Sequence, residues 1–163
     1  MSFLSKLQLD SNEYNVLSVD YEISQPIGRR NMPTDAPHLG LINITVESSN
    51  KSELLGWAIA PRTTKNGSIT FFRRDAQSSM KTLKFFDTFC ISYKEKFEAD
   101  GAVPMQVVMT LAPRRIECQG VTLEEFWPGF NGESSDSDSG SSSSSASSEN
   151  QTESKEIGSF LPS

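Results

Sequence analysis

Met80-Lys81-Thr82-Leu83-Lys84-Phe85-Phe86-Asp87-Thr88-Phe89-Cys90-Ile91-Ser92-Tyr93 alternates with a period of two, not 3.6. Leu83, Phe85, Asp87, Phe89, Ile91 and Tyr93 share one face of an extended chain. Thr82, Lys84, Phe86, Thr88, Cys90 and Ser92 share the other. The stretch predicts a long β-strand, and Phe86 and Cys90 on its second face predict cover on both sides for part of its length. Outward from it the same period recurs. Ile42, Ile44 and Val46 alternate with Asn43, Thr45 and Glu47, and Met105, Val107, Met109 and Leu111 form another run. Val16 with Leu17, Val19, Tyr21 and Ile23 marks a strand after Tyr14, preceded by an N-terminal strand from Phe3 to Leu9.

Turn chemistry separates these runs. Asp10-Ser11-Asn12 predicts a hairpin, Asn66-Gly67 a turn before the Ser68–Arg73 strand, and Asp100-Gly101 a turn before Val103. Asp75 to Ser79 reads as a polar connection. Seven or eight strands at this spacing predict a mainly β fold, an antiparallel barrel or sandwich. One segment breaks the period. Ser52-Glu53-Leu54-Leu55-Gly56-Trp57-Ala58-Ile59 has helical spacing with Ser52 as N-cap, and Pro61 ends it. Ser24–Gly40, with Pro26, Pro33, Pro37, Arg29-Arg30 and His38, reads as a long loop of the kind that is either functional or disordered.

The 163 residues divide by composition. The last 33 hold 14 serines and only four hydrophobic residues, Ala146, Ile157, Phe160 and Leu161. They carry six acids and one base, and the first 130 carry 15 acids and 14 bases, so the net charge of −6 sits mostly in the tail. A near-neutral folded part has no basic surplus for phosphates, which argues against nucleic-acid binding. The tail buries too little apolar surface to offset chain entropy, so disorder is expected from about Asn131 to Lys155. No run is long enough for a membrane-spanning helix, and the N-terminus lacks the features of a cleaved secretory signal. Cys90 and Cys118 lack metal or redox spacing and read as reduced, buried thiols.

Catalysis needs an assembled set of groups that this chain does not offer. The lone His38 has no Cys/His cluster around it, and no nucleophile elbow or phosphate loop appears. Glu124-Glu125 and Asp136-x-Asp138 read as solvated charge rather than acid–base pairs. Arg29-Arg30, Arg73-Arg74 and Arg114-Arg115 flank strands, where charge guards an edge against unwanted pairing. Consecutive phenylalanines face opposite sides of a sheet, which hints at an oligomer interface.

Leu54-Leu55-Gly56-Trp57, Pro61, Thr64-Lys65-Asn66-Gly67-Ser68-Ile69-Thr70-Phe71 and Arg74-Asp75 follow one another in an order that resembles the type VI secretion tube protein. Met80-Lys81-x-Leu83-x-Phe85-x-Asp87-x-x-Cys90-x-x-Tyr93, Phe97 and Pro104-Met105 extend the likeness, as do Tyr14-x-Val16-Leu17-Ser18 and Ser24-Gln25. The nearest branch is the TssD form of the haemolysin-coregulated protein of Bacteroidota. The resemblance covers about residues 1–118 and leaves Leu123–Pro128 and the Ser-rich tail as additions. The expected division is a barrel over 1–128 and a tail over 129–163.

The resemblance implies a β-barrel with one helix, assembled as a hexameric ring. Rings stack into a tube expelled with spike and effector proteins by a sheath, without cofactor or membrane insertion. It implies cytoplasmic assembly and export without a cleaved signal. It also points to Ser24–Gly40 as the loop that engages the next ring, and to Arg29, Arg30, His38, Arg62 and Lys65 as ring-stacking or subunit contacts. The alternative is a carrier or adaptor barrel that binds a partner without forming tubes. The terminal Ile157-Gly158-Ser159-Phe160-Leu161-Pro162 reads either as an inert end or as a tethered docking peptide.

Overall fold

The structure, a computed structural model, describes residues 3–73 and 78–130. Eight antiparallel strands and one helix follow in the order β1 (Ser5–Leu9), β2 (Asn12–Ser24), β3 (His38–Glu47), α1 (Glu53–Ile59), β4 (Thr64–Phe72), β5 (Ser79–Phe97), β6 (Met105–Ala112), β7 (Arg115–Cys118) and β8 (Val121–Glu124). The sheet order is β4-β1-β2-β3-β6-β5-β7-β8, and an additional β4–β5 pairing closes the barrel. The strand-rich architecture with one short helix is the one read from the period-two runs.

The 19-residue strand β5 runs through both sides of the closed sheet because its two edges serve different partners. Its first half pairs with β4 on one edge, from Ser79↔Phe72 to Phe89↔Thr64. On the other edge its first half takes β7, Leu83↔Cys118 to Phe86↔Arg115, and its second half takes β6, Phe89↔Ala112 to Phe97↔Met105. β2 does the same, pairing through Asn12–Asn15 with β1 and from Val16 onward with β3. The interior they enclose holds Leu7, Leu9, Ile42, Ile44, Val46, Ile69, Leu83, Phe85, Val107, Met109 and Leu111, all essentially without solvent contact. Each such side chain stabilises the fold by about 1.5–3 kcal/mol relative to exposure.

Bulges change the inward phase, and here the structure departs from strict alternation. Val16↔Val46 is followed by Ser18↔Thr45, so Leu17 is an extra residue on β2 and Val19 and Tyr21 carry the inward face after it. Cys90↔Leu111 followed by Ser92↔Thr110 makes Ile91 an extra residue on β5, 59% exposed rather than inward. Asp87, at φ 49°, breaks the phase between Phe85 and Thr88, so Thr88 is buried and Phe89 points away from Phe85's face.

Asn66-Gly67 is not a turn. It lies within β4 opposite the Asp87 irregularity, and Asn66 Oδ1 accepts the Asp87 N–H at 2.8 Å. A Cβ on Gly67 would stand 2.5 Å from Phe85 Cζ and 2.8 Å from the Gln8 carbonyl, which is why glycine is needed there. His38 is likewise not in the loop but is the first residue of β3.

Two further local expectations change. Helix α1 starts after Ser52, but the Ser52 hydroxyl makes no capping bond; its carbonyl accepts the Gly56 N–H at 2.7 Å. Leu54 and Trp57, one turn apart, are buried, and the Trp57 indole donates to the Thr63 carbonyl at 3.1 Å. Residues 119–128 are not all appendage, because Val121–Glu124 forms β8 in a hairpin with β7. Gln119 at φ 51° and Gly120 at φ 81° make the two-residue turn, the paired positive φ of a type I′ hairpin. Of the expected polar connection at Asp75–Ser79 only Ser78 and Ser79 are described, Ser79 opening β5, and the whole Ser-rich tail from Asn131, with its terminal peptide, lies outside the described residues.

Candidate assembly surfaces

In a strand-rich chain, unpaired edges and exposed faces are where another chain can join. β2, β3, β6 and β5 form a four-stranded sheet whose middle strands pair on both sides. Among the described residues, β2 from Val16 to Ser24 has a strand on one edge only, and so does β5 from Cys90 to Phe97. The two free edges lie at opposite sides of one sheet. Because four is an even number of antiparallel strands, β5 of one copy set beside β2 of another continues the antiparallel order.

The outward face of this sheet is polar. Asp20, Asn43, Thr110 and Ser92 form one transverse row by register, and Ser18, Thr45, Val108 and Lys94 the next. Asn43 donates to Asp20 at 2.9 Å, and Thr110 donates to Asn43 Oδ1 at 3.1 Å, a side-chain ladder across three strands. On the inward side Tyr93 donates to Glu95 at 2.6 Å; burial first, and then that carboxylate, push its phenol up to about 12. Burial also raises the Cys90 thiol, so it stays protonated at neutral pH. Cys90 and Cys118 are both free thiols, half-buried rather than fully so.

The Pro-rich loop, now residues 25–37, folds back on itself. Ile27 bridges Pro33, the Gly28 N–H donates to the Met32 carbonyl at 2.9 Å, and Asn31 at φ 58° makes the bend. Arg29 and Arg30 sit exposed at this tip between the exposed Ile27 and Met32. At the base, His38 lies 3.6 Å from Asp35 and 3.8 Å from Glu125, and Glu125 also accepts the Leu39 N–H. Glu125 is therefore a clasp between the β3 start and the exit from β8, not a solvated charge.

Arg62 is exposed in the turn after α1, at φ 58°. Lys65 faces inward to its own chain, donating to Asp10 and, at 3.4 Å, to Glu53. Glu53 also accepts from Asn12 at 2.7 Å and from the Tyr14 hydroxyl at 2.8 Å, and Lys51 donates to Asn12 at 2.6 Å. The network ties the β1–β2 turn to the start of α1 and of β4. The Lys65 hydrogen bond holds the Asp10 carboxyl below its ordinary range, and Asp10 in turn raises Lys65. Burial and the Glu53 carboxylate push the Tyr14 phenol well upward.

Of the arginine pairs read as edge guards, Arg114 is engaged inside the fold. Its Nε and Nη2 both donate to Asp87, at 3.0 and 2.6 Å, and Nη1 reaches Glu124. Arg115 lies 4.2 Å over the Phe86 ring, its cross-strand partner. Phe89 stacks on Trp127 at 5.4 Å, and Phe130 meets both rings edge-on. The five predicted residues thus separate: Arg29 and Arg30 at a loop tip, His38 in the clasp, Arg62 in a turn and Lys65 in an internal network.

Sequence reading missed the residues that flank the two free edges. Asp20 and Glu22 on β2, and Lys94 and Lys96 on β5, are all exposed. Like charges two apart within strands were the available signal. Among the described residues no group of three or more His, Cys, Asp or Glu is placed to hold a metal, and no helix is long and apolar enough to cross a membrane.

The family model described as Hemolysin coregulated protein Hcp (TssD) matches residues 1–128, so Leu123–Pro128 falls within the family's span rather than beyond it. Among solved structures, Hcp1 from Flavobacterium johnsoniae is 30% identical with a TM-score of 0.72, over 76% of this chain and 100% of that one. Secreted protein Hcp3 from Pseudomonas aeruginosa shares 12% identity and a TM-score of 0.56, over 77% and 99% of the two chains. A chain from an extracellular contractile injection system, in a structure of the PVC sheath/tube terminator, shares the fold at 17% identity and a TM-score of 0.51, over 71% and 92%. No functionally curated protein matches the sequence. With the family matched over most of its length and the barrel, helix and strand order in place, the chain belongs to the haemolysin-coregulated protein (TssD) family.

Proposed function

We propose that this protein is a structural subunit of a type VI secretion inner tube, assembled as six-membered rings that stack and are expelled with spike and effector proteins. The observation that carries the reading is the open four-stranded sheet inside a barrel of this family. Each copy offers a free β5 edge and a free β2 edge, and their union is heterologous, the head-to-tail geometry that closes into a ring. Unpaired edges are a liability in a monomer, and closure removes them. Assembly, not catalysis, is then the activity. Residues 1–128 form the tube domain, with 129–163 as an appended tail. The loop carrying Arg29 and Arg30 projects toward the next ring, and export proceeds through the secretion apparatus without a cleaved signal.

Electron microscopy and native mass spectrometry of the purified full chain test this. Six-membered rings, alone or stacked, are the expected particles. A species that stays monomeric across micromolar concentrations overturns the tube reading and leaves the carrier barrel.

A further inference from the structure

The two free edges carry opposite charge. The outward positions along β2 are Ser18, Asp20 and Glu22, and those along β5 are Ser92, Lys94 and Lys96. Among the described residues, Glu22, Lys94 and Lys96 make no ion pair within the chain, and Asp20 is bonded only to the neutral Asn43. Facing charges that no neighbour in the same chain satisfies indicate a second copy as the occupant of each edge. Resting on the assembly reading above, we infer that subunits join through an acidic-to-basic ladder, with Asp20 of one copy opposite Lys96 of the next and Glu22 opposite Lys94.

The ladder also sets the register, and barrel geometry supports the same register independently. Within one copy Asp20 lies level with Ser92 through Asn43 and Thr110. Placing Asp20 opposite Lys96 brings Ser92 opposite Ser24, four residues further along β2. Each copy therefore displaces the ring by four residues over four strands. With a rise of about 3.3 Å per residue and a strand spacing of about 4.8 Å, that displacement tilts the strands by about 35°. Closed barrels take about 35–45°. A two-residue stagger, which would set Asp20 opposite Lys94 and leave Lys96 unmatched, gives only about 19°. Two unrelated requirements, charge matching and closure, select one register. A shift by a single residue would instead turn the two polar faces to opposite sides.

The ladder makes wrong joints unfavourable as well. Two β2 edges would set acid against acid and two β5 edges lysine against lysine, so only the head-to-tail joint is free of repulsion. This is the condition for a closed ring rather than a pair.

Charge reversal in the full chain tests it, read by native mass spectrometry and electron microscopy. Asp20→Lys with Glu22→Lys gives a chain basic on both edges, and Lys94→Glu with Lys96→Glu a chain acidic on both. Each alone should lose rings at least about tenfold relative to the unaltered protein. Mixed in equal amounts, the two should regain rings in which they strictly alternate, which six-membered closure permits. That regain also shows that both variants are folded. Rings that persist in either reversed chain alone, or no rings on mixing, overturn the ladder while the unaltered protein's rings leave the tube reading standing. An unaltered protein that makes no rings overturns the tube reading itself, and the ladder with it.

The register has its own readout. In a Cys90→Ser, Cys118→Ser background, Glu22→Cys with Lys94→Cys should cross-link neighbours around the ring on mild oxidation. Asp20→Cys with Lys94→Cys should not, and the reverse preference would replace the four-residue stagger with the two-residue one.

Discussion

The two halves of the barrel solve the same problem in opposite ways. In the half built from β1, β4, the first part of β5 and the start of β2, every strand of the barrel wall finds partners within the chain. Its surface ions are also answered internally, Lys65 by Asp10 and Glu53, and Arg114 by Asp87 and Glu124. In the half built from β2 beyond Val16, β3, β6 and the end of β5, the middle strands are as well buried as any, but among the described residues the outer edges end without a partner strand. One half is a finished fold, and the other, on the tube reading proposed above, is finished by another copy. The same chain can therefore be stable alone in one region and dependent on assembly in the next.

Substitutions in the closed half should break the monomer itself. Phe85 has no solvent contact and packs against the position where Gly67 has no side chain. Phe85→Ala should cost about 3–5 kcal/mol through the cavity it leaves. The midpoint of urea unfolding would shift accordingly, with ring assembly lost as a consequence. A shift under about 1 kcal/mol would show that this half is not the anchor argued here.

The Arg114–Asp87 pair is the next largest. Both side chains are largely covered, with relative exposures of 18% and 15%. Arg114→Ala leaves the Asp87 carboxylate without its two strongest donors, at a cost of about 2 kcal/mol. It also loosens the β5 irregularity and the Trp127–Phe130 cluster, where Arg114 lies 5.7 Å over the Phe130 ring. Near-ultraviolet circular dichroism should register the loosened tryptophan along with the lower melting temperature.

Acid and base should act on the closed half through the Asp10–Lys65–Tyr14 network. Asp10 is held below its ordinary 3.8, so its contribution is present above about pH 4 and is lost as the pH falls through the folded value. Lys65 and Tyr14 are raised above 10.5 and 10.0, so theirs is present below about pH 10 and is lost as the pH climbs. Thermal unfolding followed from pH 3 to 11 should show a plateau between those limits. In Lys65→Met the acid limb should flatten, because Asp10 then has no cation to lower it. An acid limb unchanged by that substitution would assign the dependence to other carboxylates.

What could be read from sequence follows the same division. Ile42, Ile44 and Val46, and Val107, Met109 and Leu111, face inward as alternation requires, because the ladder between β3 and β6 runs without a bulge. Phase was lost at inserted residues such as Leu17, Asp87 and Ile91, since a bulge leaves no composition signal and an insertion moves the following side chains to the other face. Asn66-Gly67 carried turn composition for another reason: a glycine was required by the Phe85 ring, 18 residues further along the chain. The β7–β8 hairpin was hidden by its brevity, with four residues on either side of Gln119-Gly120. Asp20, Glu22, Lys94 and Lys96 could be seen as exposed charge, but the two edges were visible only once β2 and β5 were known to span both halves.

The smallest effect tests the open half most directly. Ile91 is the extra residue on the free portion of β5, more than half exposed, and among the described residues it is not part of the core cluster. Ile91→Thr keeps the β-branched shape and should change monomer stability by no more than about 0.5 kcal/mol. Assembly adds a second, concentration-dependent contribution to stability, since a ring that binds only folded subunits raises the melting temperature as protein concentration rises. The prediction is therefore a pair of measurements. At dilutions where monomer dominates, the melting temperatures of Ile91→Thr and the unaltered protein should coincide. At concentrations where rings form, the variant should gain less, because a polar residue on the joining edge removes apolar contact with the neighbour. A loss in the dilute monomer of more than about 4 °C, which corresponds to roughly 1 kcal/mol for a domain of this size, would mean that Ile91 supports its own barrel. The edge at β5 would then belong with the closed half, and the division between a finished region and one completed by a neighbour would have to be redrawn.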